Sequence, residues 1–302
     1  MSITIQTNLA SITSQADLRK SNLTSADATK RLSSGSKINS AKDDPANLQI
    51  SHKFTSQINC LDRGNRNSSE GEAVVQLAEG ALAEDFTILQ RIRQLAIQSA
   101  NGTYNEQDRQ TIQFEVNQLC NEITRVACKT TYGGAQILNG KSEHSLINDD
   151  GKLSLQVGAN ANTTIDLDLS VSFTMSSMQA HIGGGSDGNG YNDANKTFDV
   201  STTENAQKVL ESIDDYIAFI DSKRSDVGAV SNRLNSTISN LENMHENESD
   251  ARARITDADY AVESSRLISA NILENATSQM MMQANACLLY TSPSPRDLST
   301  SR

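Results

Sequence analysis

LESIDDYIAFIDSKRSDVGAVSNRLNSTISNL, residues 210–241, is the stretch that decides the fold. Leu210, Ile213, Ile217, Ile220, Val227, Leu234, Ile238 and Leu241 fall at steps of three, four and seven. This is the spacing of one helical stripe sustained over more than four heptads. Ser201 with Glu204 reads as a capping box that opens the helix. No proline interrupts it, since the three in the chain are Pro45, Pro293 and Pro295.

Upstream, the same period recurs. Phe54, Ile58 and Leu61 through Val75, Ala78, Leu82, Phe86, Leu89, Ile92 and Ala96 keep three-four spacing to about Asn101. Asp44 can cap this helix, and Pro45 suits its first position because the missing N–H is not needed there. A continuous helix would be about 85 Å long at 1.5 Å per residue, although Gly64, Gly71 and Gly80 are places where it could break. Asn101-Gly102 closes it. Asn105 with Asp108 then resembles a capping box before a helix with the face Ile112, Val116, Leu119, Ile123 and Val126, ending near Thr130. The short connection requires an antiparallel return. Leu89 and Ile92 on one side, and Ile217, Leu234 and Ile238 on the other, are the expected core.

Both ends carry amphipathic segments. Leu9, Ile12, Ala16, Leu23 and Ala26 line one side of a helix reaching about Leu32, stopped by Ser33-Ser34-Gly35. Ile255, Ala258, Val262, Ser265, Ile268 and Ile272 carry a matching seam toward Ala286. Between the helical halves the period falls to two: Leu153, Leu155, Val157 and then Ile165, Leu167, Leu169 flank GANANT, which predicts a hairpin. GGGSDGNGYNDANK, residues 183–196, has no apolar period and reads as an exposed linker or the remnant of an inserted domain. The fold class is therefore mainly α, an elongated antiparallel helical bundle or coiled coil formed by both chain ends with a small β-hairpin insert.

Composition narrows the function. Only 36% of the 302 residues are hydrophobic and 4% aromatic, with no Trp, so thin packing fits better than a thick globular interior. A net charge of −11 disfavours nucleic acid and anionic membranes, and no apolar run approaches the ~20 residues that span a bilayer. The N-terminus has neither a basic region nor a continuous apolar core of the secretory kind. Cys60, Cys120, Cys128 and Cys287 match neither zinc nor redox spacing and read as small apolar residues. His52, His144, His181 and His245 form no ligand-spaced or nucleophile motif, so no catalytic residue, cofactor or metal is expected. The small residues of the end helices, among them Ala10, Ala28, Ala261 and Ala270, leave them little to bury alone. A stripe at helical spacing can be ordinary bundle core, but these end helices point to completion by other copies of the chain, and head-to-tail association of identical subunits gives an open filament unless a ring closes.

RLSSGSKINSAKDDPANLQIS (31–51), AEGAL (78–82), LQRIRQLAIQSANG (89–102), VGAVSNRL (227–234) with STISNLEN (236–243), and ARARITDADYAVESSRLISANIL (251–273) occur in this order. Together they closely resemble bacterial flagellins over about residues 1–170 and 200–286. The resemblance implies an extracellular filament subunit for swimming motility, exported through the flagellar type III channel, with end helices disordered before assembly. It implies an N-terminal inner-tube helix at 1–43, rod-domain helices and hairpin at 44–170, a reduced variable region or linker at 171–200, a rod helix at 201–251 and a C-terminal inner-tube helix at 252–286. Leu9, Ile12, Leu23, Val262, Ile268 and Ile272 become candidates for subunit or terminal-helix packing. Implied partners are other flagellin subunits, the export chaperone and cap, and hook–filament junction proteins, with no nucleic acid and no membrane. A host Toll-like receptor is a further implied partner, through Arg91, Leu95 and Glu115, although Gln94 stands where many recognised flagellins have Glu. A hook–filament junction protein with flagellin-like ends is the alternative. CLLYTSPSPRDLSTSR, residues 287–302, departs from the family's helical end and reads as a non-native tail from a shifted frame or from adapter or vector sequence.

Overall fold

The computed structural model describes residues 8–142, 145–148, 151–158, 160–182, 190–193 and 195–291, with side chains up to Ala286. Residues 292–302, with Pro293 and Pro295, lie outside it, as do His144 and residues 183–189 of the expected linker. The chain divides into an end unit, Met1–Ser56 with Asn247–Arg302, and a central unit, Gln57–Glu246. Helices α1 (Leu9–Ser34) and α6 (Tyr260–Thr291) belong to the first. Helices α2 (Pro45–Ala100) and α5 (Thr203–Thr256) contribute to both, and α3 (Glu106–Lys129) and α4 (Met175–Ile182) belong to the second. Among the described residues no helix is long and apolar enough to cross a membrane.

Local chemistry sets the helix ends. The Asp44 carboxylate accepts from the Asn47 N–H at 3.0 Å ahead of Pro45, and this bond holds its pKa below the usual carboxylate value. Asn105 and Asp108 form the reciprocal capping box of α3, and Gly35 ends α1 with a left-handed φ of 68°. At α5 the expected cap is displaced by one residue. Thr202, not Ser201, accepts from the Asn205 N–H at 3.2 Å, because the Ser201 N–H is taken by Asp199.

Helix α2 passes unbroken through its glycines, and packing explains two of them. A Cβ on Gly64 would stand 2.4 Å from the Val157 carbonyl oxygen, and one on Gly71 2.4 Å from Leu155 Cδ1. Both contacts come from the antiparallel hairpin of β3 (Lys152–Gln156) and β4 (Thr164–Asp168). Its approach therefore needs bare backbone on α2. Gly80 meets nothing within 4 Å. Urea unfolding of the central unit should accordingly rank three alanine variants. Gly80→Ala should gain about 0.5–1 kcal/mol from helix propensity. Gly71→Ala should lose little because the Leu155 tip can move, whereas Gly64→Ala should lose about 1–3 kcal/mol because a backbone carbonyl cannot.

The strands exceed the single hairpin expected. Two further pairs, β1 (Thr131–Tyr132) with β2 (Ala135–Gln136) and β5 (Tyr191–Asn192) with β6 (Thr197–Phe198), are two residues long, too short to leave an alternating pattern. Of the two readings of 171–200, a reduced variable region or an exposed linker, the exposed linker does not hold for the described residues. Phe173, Met175, Met178, Tyr191, Phe198 and Val200 from this segment are buried in the core. Phe198 stands edge-on to Tyr191 and Tyr216, with ring centroids 6.0 and 5.1 Å apart. The Tyr216 hydroxyl pairs with Gln179, and burial pushes the Tyr191 phenol up to about 12.

Of the expected core residues, Leu89, Ile92 and Leu234 are fully buried, whereas Ile217 and Ile238 are half-buried. On α5 the inward positions are Val209, Ile213, Tyr216 and Ile220, and on α3 Cys120 and Ala127 replace the expected Leu119 and Val126. In both helices the inward stripe includes small or polar-tipped residues that the most apolar positions alone do not reveal.

Candidate assembly surface

Within the end unit, α1 and α6 form an antiparallel helix pair. Asn8 Nδ2 donates to the Ala284 carbonyl at 3.1 Å, Ser21 Oγ to the Ala270 carbonyl at 2.7 Å, and Tyr260 Oη to the Leu32 carbonyl at 2.9 Å. Rising numbers on α1 thus meet falling numbers on α6. Arg31 pairs with the buried Glu263 at 2.9 Å, and Arg266 reaches the same oxygen at 2.9 Å. At the far end the seam expected to run from Ile255 to Ile272 is interrupted. Helix α5 stops at Thr256, Asp259 caps α6 through the Ala261 N–H, and the gap pairs with the end of α1 through Lys37 N–H to Thr256 O and Ala258 N–H to Gly35 O.

What lies between the two helices is small and polar. Ser11, Ser14, Ser21 and Ala28 are the buried residues of α1, at steps of three, seven and seven, and Ala270 faces them from α6. This corrects the seam read from apolar positions. Leu9, Ile12 and Leu23 are 67%, 54% and 69% exposed, and Val262, Ile268 and Ile272 are 45%, 59% and 63% exposed. They do not pack the helix pair together. Serine lets the backbones approach closely while its hydroxyl is satisfied by a carbonyl, as Ser21 shows, so the apolar stripe turns outward. Tyr260, Leu273, Met280 and Met282 extend that outward surface and were not singled out in the sequence. A second, serine-based heptad on α1 is the signal that would have found the inner face. Among the described residues the hydrophobic core cluster lies wholly in the central unit, and the end unit buries only Ala28, Ile38 and Ala270 of its apolar side chains. Such a helix pair keeps little of its own hydrophobic stabilisation and presents it instead for association.

The receptor candidates do not form one surface. Arg91 Nη2 and Nε reach Glu115 Oε1 at 2.8 and 3.1 Å, and both side chains are about half exposed. Leu95 is 3% exposed and belongs to the core of the central unit, so it cannot offer the apolar contact expected of it. Two residues on, Ile97 is 52% exposed on another side of α2. The histidines are used separately: the His181 ring lies 5.0 Å from that of Phe219, His245 Nε2 is 3.5 Å from Asp62 Oδ1, and His52 is exposed. Among the described residues no group of three or more His, Cys, Asp or Glu could hold a metal ion. Cys60 is exposed and Cys128 half-buried, while burial pushes the Cys120 thiol up to about 11, which leaves it protonated and unreactive.

Comparison with known proteins places this geometry. Residues 5–143 match the bacterial flagellin N-terminal helical region, and residues 210–289 the C-terminal helical region. A flagellin of Halalkalibacterium halodurans is 38% identical, over 85% of this chain and 87% of that protein. Polar flagellin A of Vibrio parahaemolyticus is 32% identical, over 94% of this chain and 97% of its own. Among solved structures, Bacillus cereus flagellin aligns with a TM-score of 0.47 at 23% identity, covering 58% of this chain and 88% of its own. The two matched regions bracket residues 144–209 and take in both helices of the end pair, and on that ground the chain belongs to the bacterial flagellins.

Proposed function

We propose that this flagellin enters its filament by burying the outward apolar faces of α1 and α6 against other copies of the chain. The observation that carries the reading is the inversion of the end unit, with Leu9, Ile12, Leu23, Val262, Ile268 and Ile272 exposed while serine and alanine fill the seam. Fully covering a wholly exposed side chain of this size gains about 1.5–3 kcal/mol, and these, about half to two-thirds exposed, have roughly that share still to gain. Identical helix pairs meeting head to tail supply that cover without closing the assembly. The flagellar filament is a structural, extracellular polymer, and the work of the chain is to pack rather than to catalyse. Before assembly the same faces suit an export chaperone, at the growing end the cap, and where hook and filament meet the junction proteins. A host Toll-like receptor would have Arg91 and Glu115 to engage, without Leu95.

Seeded polymerisation tests the proposal. The 302-residue chain, and a version in which a flagellin helical end replaces residues after Ala286, are added to sheared filament seeds. Sedimentation and electron microscopy should show growing filaments from at least the second. Deletion of residues 1–34 should abolish growth. Two full-length versions that stay monomeric on seeds would overturn the reading.

A further inference from the structure

Asp85 occupies a position that the assembly reading does not use. On α2 it follows Ala78 and Leu82 and precedes Leu89 and Ile92 at steps of four, three, four and three, which is the register of the helix's inward seam. All five residues are 0% exposed. Four are apolar and one is a carboxylic acid. Among the described residues neither Asp85 oxygen has a hydrogen-bond partner. An ionised carboxylate in such a place is among the costliest groups a protein can bury.

The charges around this level of α2 do not relieve it. On α2 itself Glu84 is the neighbour, and on α3 Glu122 adds a second negative charge, with Arg125 already bound to it. On α5 the level is marked by Arg224, whose guanidinium lies 5.6 Å from the ring centre of Phe86. Arg224 reaches Asp221, while its Nε is buried without a partner. Lys223 beside it lies between Asp168 of β4 and Asp226. Burial, with Glu84 and Glu122 adding to it, pushes the Asp85 carboxyl up to about 8.

We propose that Asp85 makes the central unit proton-responsive: the fold holds it as the neutral acid, and alkaline surroundings, by removing that proton, loosen the packing of α2 against α3 and α5. The sign follows from linkage. The folded chain binds a proton that the unfolded chain releases near the ordinary aspartate pKa. Stability from this position is therefore fully present in acid, falls as pH rises between the unfolded and folded values, and stays low above the folded one.

The experiment compares urea unfolding of the full chain with that of Asp85→Asn across pH. Relative to the variant, the unfolding constant of the wild type should rise about tenfold per pH unit between about pH 5 and about pH 7.5, then level off. A ratio that does not change with pH would mean that Asp85 is ionised within the fold and would overturn the proposal. An independent measurement does not need the variant to fold. With carboxyl-13C aspartate incorporated in the wild type, one resonance should titrate well above all the others. If every aspartate instead titrates in the ordinary carboxylate range, the proposal is equally overturned.

Discussion

Replacing Ile268 and Ile272 together by glutamate should leave the monomer's unfolding unchanged and suppress seeded filament growth almost completely. The two side chains are 59% and 63% exposed, and neither belongs to the core cluster. Surface changes of this kind move folding stability by no more than about 0.5 kcal/mol. In a filament each residue would be covered by a neighbouring copy. Losing two such burials, at about 1–2 kcal/mol each for side chains already two-fifths covered, and adding like charges along a repeating contact, should raise the concentration needed for growth by at least about 30-fold. Sedimentation across a concentration series reads the effect. Serine substitution at the same positions separates lost burial from added charge. Normal growth of the glutamate variant would show that this face stays in water in the polymer.

Leu234→Asp should do the opposite, destabilising the folded central unit whatever the state of assembly. Leu234 is 0% exposed on α5, and the substitution leaves both a cavity and an unpaired acid, with a cost of about 4 kcal/mol or more. For a unit of this size that lowers the thermal midpoint by roughly 8–16 °C. Ile238→Asp, one turn further along, should cost less than half as much because its side chain can reach water. Leu234→Met should cost under about 1.5 kcal/mol, since volume is conserved. Equal midpoints for the two aspartate variants, by calorimetry or helical circular dichroism, would show that the burial difference carries no energetic weight.

Much of this architecture can be read from residue order, and the failures share a physical cause. Asp44-Pro45, Asn105 with Asp108, and Gly35 mark helix ends because caps act within one turn. Such local bonds depend little on what surrounds them. The heptads of α2 and α5 identify core helices for a similar reason. Apolar spacing, however, says only that a face will be covered, not by what. For Leu9 and Ile12 the cover is not the chain's own partner helix, and the serine stripe that fills that role has no hydropathy signal. Leu95 fails for the converse reason. Its neighbour Arg91 is exposed, and a motif match carries residue types but not which side of α2 each one faces. Gly64 and Gly71 looked like breaks because the hairpin that needs them lies some ninety residues away. Asp85 was hidden by the same regularity that exposes it once burial is known, since a single acid in a run of apolar positions does not disturb the period.

The serine seam of the end unit also means that this chain has no single melting temperature. Its central unit should melt cooperatively with a large heat, because a continuous apolar core is exposed at once. The α1–α6 pair exposes little new apolar surface on separating, since its apolar side chains already face water, and therefore contributes little to the heat-capacity change. A calorimeter would record the centre and scarcely register the ends, the part of the chain proposed to make the polymer.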